Sequence, residues 1–346
     1  MESSGKTADF SSGFSQEFIK KFTQFTLPDC DRRAFIRQYL AENGIQTTEI
    51  PIAGKKHIFV NQSASAYSPL FRLKTVIAHY DRASGTPGAN DNSSSVFALM
   101  DFAIRLKNYK GIHNIRIFFT DGEELDENPE ITSSGEESPG CKVNGQSNKQ
   151  TKNQSGSQIF SRMGAFGLAA LFKKAGITND DVYVFDCTGR GTIPILGETI
   201  LPPGVPAKFY AQYKALENRA KGIIRSASHY FMTLPVPCSD NAGFLVCRIP
   251  TVIITMLPDE EATSYARNLL LNKELKDFVT HRKTSTSSKN GSGKTFSQTE
   301  AQLKDLLPQT WKLFHTQNDS LQSLTFQSFA ITARILDNLA ASKTML

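Results

Sequence analysis

The sequence predicts an α/β fold: a mixed, mostly parallel central sheet flanked by helices on both faces. Three observations predict it. Short apolar runs rich in β-branched residues recur along the chain, as buried strands should. Stretches with helical apolar spacing alternate with them. The runs also stop abruptly at acidic or histidine residues, and in open α/β sheets ligands gather at the carboxyl ends of strands.

The elements follow in order. Residues 15–43 read as one or two helices, with Phe18, Phe22 and Phe25 at helical spacing and Asp29 able to cap a second helix through Phe35 and Tyr39. Gln46–Ile52 and His57–Asn61 read as extended. Leu73–Ala78 (LKTVIA) is a buried strand that ends in His79-Tyr80-Asp81. Ser93–Tyr109 is a helix with Val96, Phe97, Met100, Ile104 and Leu106 on its apolar side. Ile115–Thr120 (IRIFFT) is a strand that ends at Asp121-Gly122-Glu123-Glu124. Phe160–Lys174 is a helix, Val182–Asp186 and Thr251–Met256 are strands, and Thr325–Ala341 is a closing amphipathic helix.

The 346 residues are read as one domain, with polar insertions at about 128–158 and 282–299. Both insertions are dominated by Ser, Gly, Asn, Gln and Lys and lack the apolar surface that offsets ordering entropy. The net charge of +6 is mild and spread along the chain, so no nucleic-acid partner is expected. No run approaches the ~20 apolar residues of a membrane span, so no membrane partner is expected either. The N-terminal stretch lacks the apolar core of a secretory signal. Five cysteines with no CxxC pair fit reduced thiols. The expected location is cytoplasmic, and the oligomeric state is not readable.

The strand-end residues form a coherent chemical set. A hydrolytic metal site needs imidazole and carboxylate ligands, few enough to leave a position open for water. Two ions about 3.5–4 Å apart can share a carboxylate, and a further carboxylate must take a proton from the water. His79 ends one strand, and Asp81 two residues on shares its face, so it can fix the imidazole tautomer. Asp91 lies in the turn Gly88-Ala89-Asn90-Asp91-Asn92. Glu123 and Glu124 are adjacent at a strand end, so one can ligate while the other faces a substrate. Asp186 is a charge at the end of an apolar strand, a position that demands a partner or a metal. His315 lies in Phe314-His315-Thr316, close to Asp319.

The ordered set HYD, GANDNSSSV, DGEEL, FDCTGRG and FHTQNDSLQSL resembles the zinc aminopeptidases of metallopeptidase family 28, a family that also contains glutaminyl cyclases. The resemblance runs from about Leu73 to Leu324 and implies a zinc-exopeptidase type of fold. It implies that His79 and Asp186 bind one zinc, that Glu124 and His315 bind another, and that Asp91 bridges the two. It makes Glu123 the general base and proton donor, gives Asp81 the task of orienting His79, and points to a cis peptide after Asp91. Ser239-Asp240, Phe244 and Ile249-Pro250 resemble the family's stretch before its last core strand. The implied activity is a metallopeptidase releasing N-terminal residues from a peptide or small amide substrate.

Two features depart from that pattern. The 128–158 insertion follows directly on Glu124. Phe314 stands where several aminopeptidases carry a tyrosine that aids the transition state, a role that Tyr230 is the candidate to supply. Two other readings stay open: a glutaminyl cyclase with a single zinc, and a non-catalytic peptidase-like binding protein. Cyclases have a tryptophan just before the last histidine, whereas Trp311 lies four residues upstream of His315. Gly291–Thr295 looks like the end of a phosphate-binding loop but has no preceding strand and lacks the first glycine, so it reads as low-complexity loop. His57 and His229 read as packing or surface residues, Cys187 as pointing away from Asp186 into packing, Cys247 as core, and Arg190 as a surface arginine or a contact for a substrate carboxylate.

Overall fold

A computed structural model describes residues 13–124, 164–199, 201, 204–280 and 295–346. Its centre is an eight-stranded sheet of order β1-β2-β4-β3-β5-β8-β6-β7. The strands are β1 (Thr47–Ile52), β2 (Lys55–Val60), β3 (Lys74–His79), β4 (Ile115–Thr120), β5 (Asp181–Phe185), β6 (Ile193–Gly197), β7 (Met232–Leu234) and β8 (Thr251–Leu257). The four central strands β4, β3, β5 and β8 run parallel, and β1, β2 and β6 pair antiparallel at the flanks. The sheet is therefore mixed and mostly parallel, and it is of the α/β class.

Each central strand is buried on both faces, which is why each reads as a continuous apolar run. Alternation sends Val76, Ala78, Ile117, Phe119, Tyr183 and Phe185 to one side. There they meet helices α1 (Gln16–Thr26), α2 (Arg32–Glu42) and α3 (Ser94–Lys107). Ile77, Phe118, Val182 and Val184 go to the other side, against α4 (Gly164–Lys174). The longest helix, α5 (Ala207–Ala227), lies on the first side; α6 (Asn241–Val246), α7 (Asp259–Leu271) and α8 (Lys273–Thr280) lie on the second. α9 (Thr295–Asp305) and α10 (Gln309–Lys312) follow, and α11 (Phe326–Ala341) closes the first side. Among the described residues, no helix is long and apolar enough to cross a membrane.

The strand and helix expectations land within a few residues, and two local ones change. Asp31, not Asp29, caps α2: its side chain accepts the amide of Ala34 at 3.0 Å. Ser15 does the same for α1. A cap must sit one residue before the first helical turn, and Asp29 lies two residues further out. The 282–299 segment is not wholly irregular, because α9 begins inside it at Thr295. Its earlier part, the 128–158 insertion and residues 160–163 of the expected fourth helix lie outside the described residues. β6, β7 and α5 to α8 were not anticipated. β6 (IPILG) is short and holds a proline, and the amphipathic helix α7 leaves Leu270 and Leu271 exposed.

Two buried features tie the frame together. Lys74, at the start of β3, donates from Nζ to the carbonyl of Leu339 at 2.7 Å and to that of Ser342, so a cation closes the C-terminal end of α11. Gly191 has φ +92, and a Cβ there would lie 2.1 Å from the Leu257 carbonyl carbon and 2.1 Å from the Pro258 nitrogen. Only glycine permits that crossing of β6 over the end of β8.

This packing sets two expectations. Gly191→Ala should cost about 2–4 kcal/mol through backbone collision and strain, read as a lowered denaturation midpoint; an unchanged midpoint would refute the close approach. The second concerns His57 and His113, which burial lowers from the ordinary 6.5 to about 4. Both are neutral in the fold and take up protons on unfolding. Their contribution is complete at neutral pH and is lost as pH falls from about 6.5 toward 4. His113→Asn keeps an acceptor for the Ile115 amide and should make that decline of stability with pH shallower.

Candidate metal centre

The sheet delivers the site residues by register. His79 is paired with Thr120 across β3 and β4, and Asp186 follows β5 directly. Asp91 comes from the loop between β3 and α3, Glu123 and Glu124 from the turn after β4, and His315 from the segment after α10. The structure brings all of these together at the carboxyl ends of the central strands.

Two groups share one residue. His79, Asp91 and Asp186 form the first, and Asp91, Glu124 and His315 the second; within each, the ligand atoms lie within 4.8 Å of one another. Asp91 presents a different oxygen to each imidazole. Its Oδ1 lies 3.3 Å from His79 Nε2, and its Oδ2 lies 3.7 Å from His315 Nε2. Asp186 Oδ1 is 3.5 Å from His79 Nε2, and Glu124 Oε2 is 3.0 Å from His315 Nε2. The peptide bond Asp91–Asn92 is cis.

His79 is wholly buried and His315 is 39 % exposed, so the first group is deep and the second borders solvent. His315 sits in the left-handed region at φ 58. Asp81 places Oδ1 3.6 Å from His79 Nδ1 and accepts the Glu124 amide on Oδ2 at 2.8 Å. It therefore faces one ligand and pins the chain of another.

The loop that carries Asp91 is held from several directions. The Asp319 carboxylate accepts the amides of Asn90 at 2.7 Å and Asp91 at 3.0 Å. Arg32, buried, donates to the carbonyls of Tyr80 and Pro87 and to Ser93 Oγ. Asn92 donates to the Phe185 carbonyl at 3.0 Å and accepts the Cys187 amide at 3.1 Å. Asn90 Oδ1 accepts the Gly189 amide at 2.8 Å. Arg32 escaped notice because it lies some fifty residues before the site. The asparagines on either side of Asp91 were the visible signal for the rest.

Charge explains what the pocket asks for. Burial and the Glu124 carboxylate push Asp91 up to about 7. Burial raises Glu123 well above the ordinary carboxyl range against the attraction of His79, and Glu124, Asp186 and Asp91 add to the rise. Burial opposes charging His79, but hydrogen bonding and attraction from Asp186, helped by Asp81 and Asp91, carry it well above its usual range. Burial also opposes the charged form of Asp186, yet His79 keeps that carboxylate low. Five carboxyl groups thus crowd two imidazoles.

His79 Nε2 is buried between two carboxylate oxygens, 3.3 and 3.5 Å away, from Asp91 and Asp186. A divalent cation satisfies all three groups at once. Two imidazoles and three carboxylates are a donor set that suits zinc, with the coordination of each group left incomplete.

Three minor expectations are corrected. Cys187 does not point away from Asp186: it adopts φ 54, and its thiol donates to Asp186 Oδ1 at 3.1 Å. The left-handed turn folds the side chain back, where a continuing strand would have sent it to the opposite face. Arg190 is not a plain surface residue. It is spent on Thr310 Oγ1, the Ser323 carbonyl and Glu261, and so fastens the segment before α11. Tyr230 is half-exposed and lines a cavity with Thr192, Ser226 and Arg334 whose lining includes none of His79, Asp91, Glu123, Glu124, Asp186 and His315. Phe314 packs against the second core cluster, and Trp311 is buried edge-on to Tyr265, with ring centroids 4.8 Å apart. His57 is buried and accepts the Asp121 amide, and Cys247 is core, as read from the sequence.

Residues 71–194 match the family model described as Peptidase family M28. The matched family is peptidase family M28. The M28 match contains His79, Asp81, Asp91, Glu123, Glu124 and Asp186, and His315 lies beyond it. No curated protein matches the sequence. Solved structures of similar fold include the LapA aminopeptidase of Legionella pneumophila, at 14% identity and a TM-score of 0.54, covering 96% of this chain and 72% of that one. A Zn-dependent exopeptidase of Parabacteroides distasonis is similar at 13% identity and a TM-score of 0.54, covering 94% and 96%. A glutaminyl cyclase of Tannerella forsythia is similar at 14% identity and a TM-score of 0.52, covering 95% and 97%. At these identities the neighbours show the fold alone.

If the Asp319 clamp sets the Asp91 loop, Asp319→Ala should weaken zinc binding by about 10–100-fold. Competition with a chromophoric chelator would measure this, and unchanged affinity would rule the clamp out.

Proposed function

We propose that this chain is a metal-dependent hydrolase, an aminopeptidase that removes N-terminal residues from peptides with Glu123 as general base. The observation that carries the reading is the shared Asp91 carboxylate, with one oxygen toward each imidazole. Such a carboxylate suits two ions held close together. His79, Asp91 and Asp186 would hold one zinc, and Asp91, Glu124 and His315 the other. When bound, zinc supplies Lewis acidity, making a water nucleophilic near neutral pH and drawing charge from a peptide carbonyl.

The protein's own groups do the rest. Glu123 lies among the ligands without belonging to either metal group. It is therefore free to take the proton from the attacking water and to return it to the departing amine. Its raised proton affinity fits it for both transfers. Asp81 orients His79 and fixes the Glu124 amide, so the ligand and the base enter from one rigid turn. The partly exposed His315 marks the side on which a substrate enters.

A glutaminyl cyclase with one zinc is the second reading, favoured by the fold similarity to the Tannerella cyclase and by the unequal burial of the two groups. The placement of Trp311 in the core, away from the position before His315, favours the first. Metal content per chain separates them, together with parallel assays of amino-acid amide release and N-terminal glutamine cyclisation.

Glu123→Gln should retain zinc at wild-type stoichiometry and lower kcat by about 10²–10⁴-fold. Turnover near the wild-type rate with metal bound would sink the assignment of the base.

A further inference from the structure

Asp240 is a buried acid that the proposed mechanism does not use. Asp240 is completely buried, immediately before α6. The Thr120 hydroxyl donates to its Oδ2, and its Oδ1 has no hydrogen-bond partner among the described residues. Its carboxyl also makes no cap for the helix it precedes. A buried carboxyl left with one hydroxyl partner is costly to keep.

Its location gives it a task. Thr120 is the last residue of β4, in register with His79, and the turn carrying Glu123 and Glu124 starts one residue later. The backbone of that turn is fixed on other sides. The Asp121 amide donates to His57 Nδ1, the Glu124 amide to Asp81, and the Gly122 carbonyl accepts from Gly164. At its root, the bond from Thr120 to Asp240 is a side-chain anchor reaching to a different element, α6. Burial pushes Asp240 up to about 7, with His79 opposing and Asp81 and Asp186 assisting. That places its carboxyl among the charges of the same site.

We propose that Asp240 is a positioning residue for the Glu123–Glu124 turn, holding the end of β4 through the Thr120 hydroxyl. The proposal rests on the hydrolase reading for its kinetic arm only. Displacing a base by about 1 Å can cost ~10²-fold in rate. Asp240→Ala should therefore lower kcat for amino-acid amide release by about 10–100-fold, with KM within about threefold. Thr120→Val removes the same bond from the other side and should have the same effect. The two substitutions combined should be no worse than either alone. Asp240→Asn keeps an acceptor for the hydroxyl and should restore kcat to within about threefold.

Cobalt-loaded full-length protein supplies a readout independent of turnover. The visible bands should shift in Asp240→Ala and Thr120→Val, because Glu124 moves, and should not shift in Asp240→Asn. Should the wild type bind cobalt but release no amino acid, the hydrolase reading fails alone and the cobalt bands still decide this one. The proposal is overturned if the Ala and Val variants keep wild-type bands and kcat while losing only thermal stability. It is likewise overturned if their effects multiply, or if Asp240→Asn fails as badly as Asp240→Ala. Where Asp240→Ala does not fold, Thr120→Val and Asp240→Asn carry the test.

Discussion

The Asp91 carboxylate governs this architecture. Its two oxygens face two different imidazoles, 3.3 and 3.7 Å away. A side chain with so few rotamers can do this only if its backbone is held at both ends. The loop from Gly88 to Ser93 is accordingly bound by Arg32, Asp319, Phe185 and Gly189. Those partners come from α2, from the segment before α11 and from the end of β5. The site is therefore a junction of distant chain segments, and the charges on Asp319 and Arg32 strengthen the hydrogen bonds that hold it.

The sheet makes the junction available. Parallel strands end together on one edge, and their last residues escape the apolar layers that bury the rest of each strand. His79, Thr120 and the residue after Phe185 emerge there side by side. Burial of both sheet faces keeps those ends from moving. Polar groups placed at the boundary are dehydrated but reachable, as electrostatic chemistry requires. His79 and His315 mark the two sides of that boundary, one enclosed and one half-open.

Repulsion among the acids gives the site its appetite for cations. Asp91 and Glu123 are driven toward their protonated forms by burial and by neighbouring carboxylates, while His79 is driven toward its charged form by Asp186. The arrangement is poor as a structural ion-pair network, because the negative groups outnumber their partners. It is well suited to divalent ions, which compensate the excess and leave Glu123 outside the ligand groups.

The sequence by itself determined the strands, because a strand buried on both faces must be continuously apolar. IRIFFT and LKTVIA announce themselves without any partner. It also marked the site, because a charge set directly on the end of such a run is costly to bury unless a partner or a metal meets it. Only tertiary structure decided the rest. β6 and the helices from 207 to 280 carry weaker local signals and gain their apolar partners from packing. Arg32, Asp319 and Asp240 acquire meaning only from what lies next to them. Arg190 became an internal fastener and not a surface residue for the same reason, and the left-handed backbone of Cys187 turned its thiol onto Asp186. Local pattern records which way a residue faces, while hydrogen-bond partnership depends on distances between segments far apart in the chain, and those exist only after the sheet has assembled.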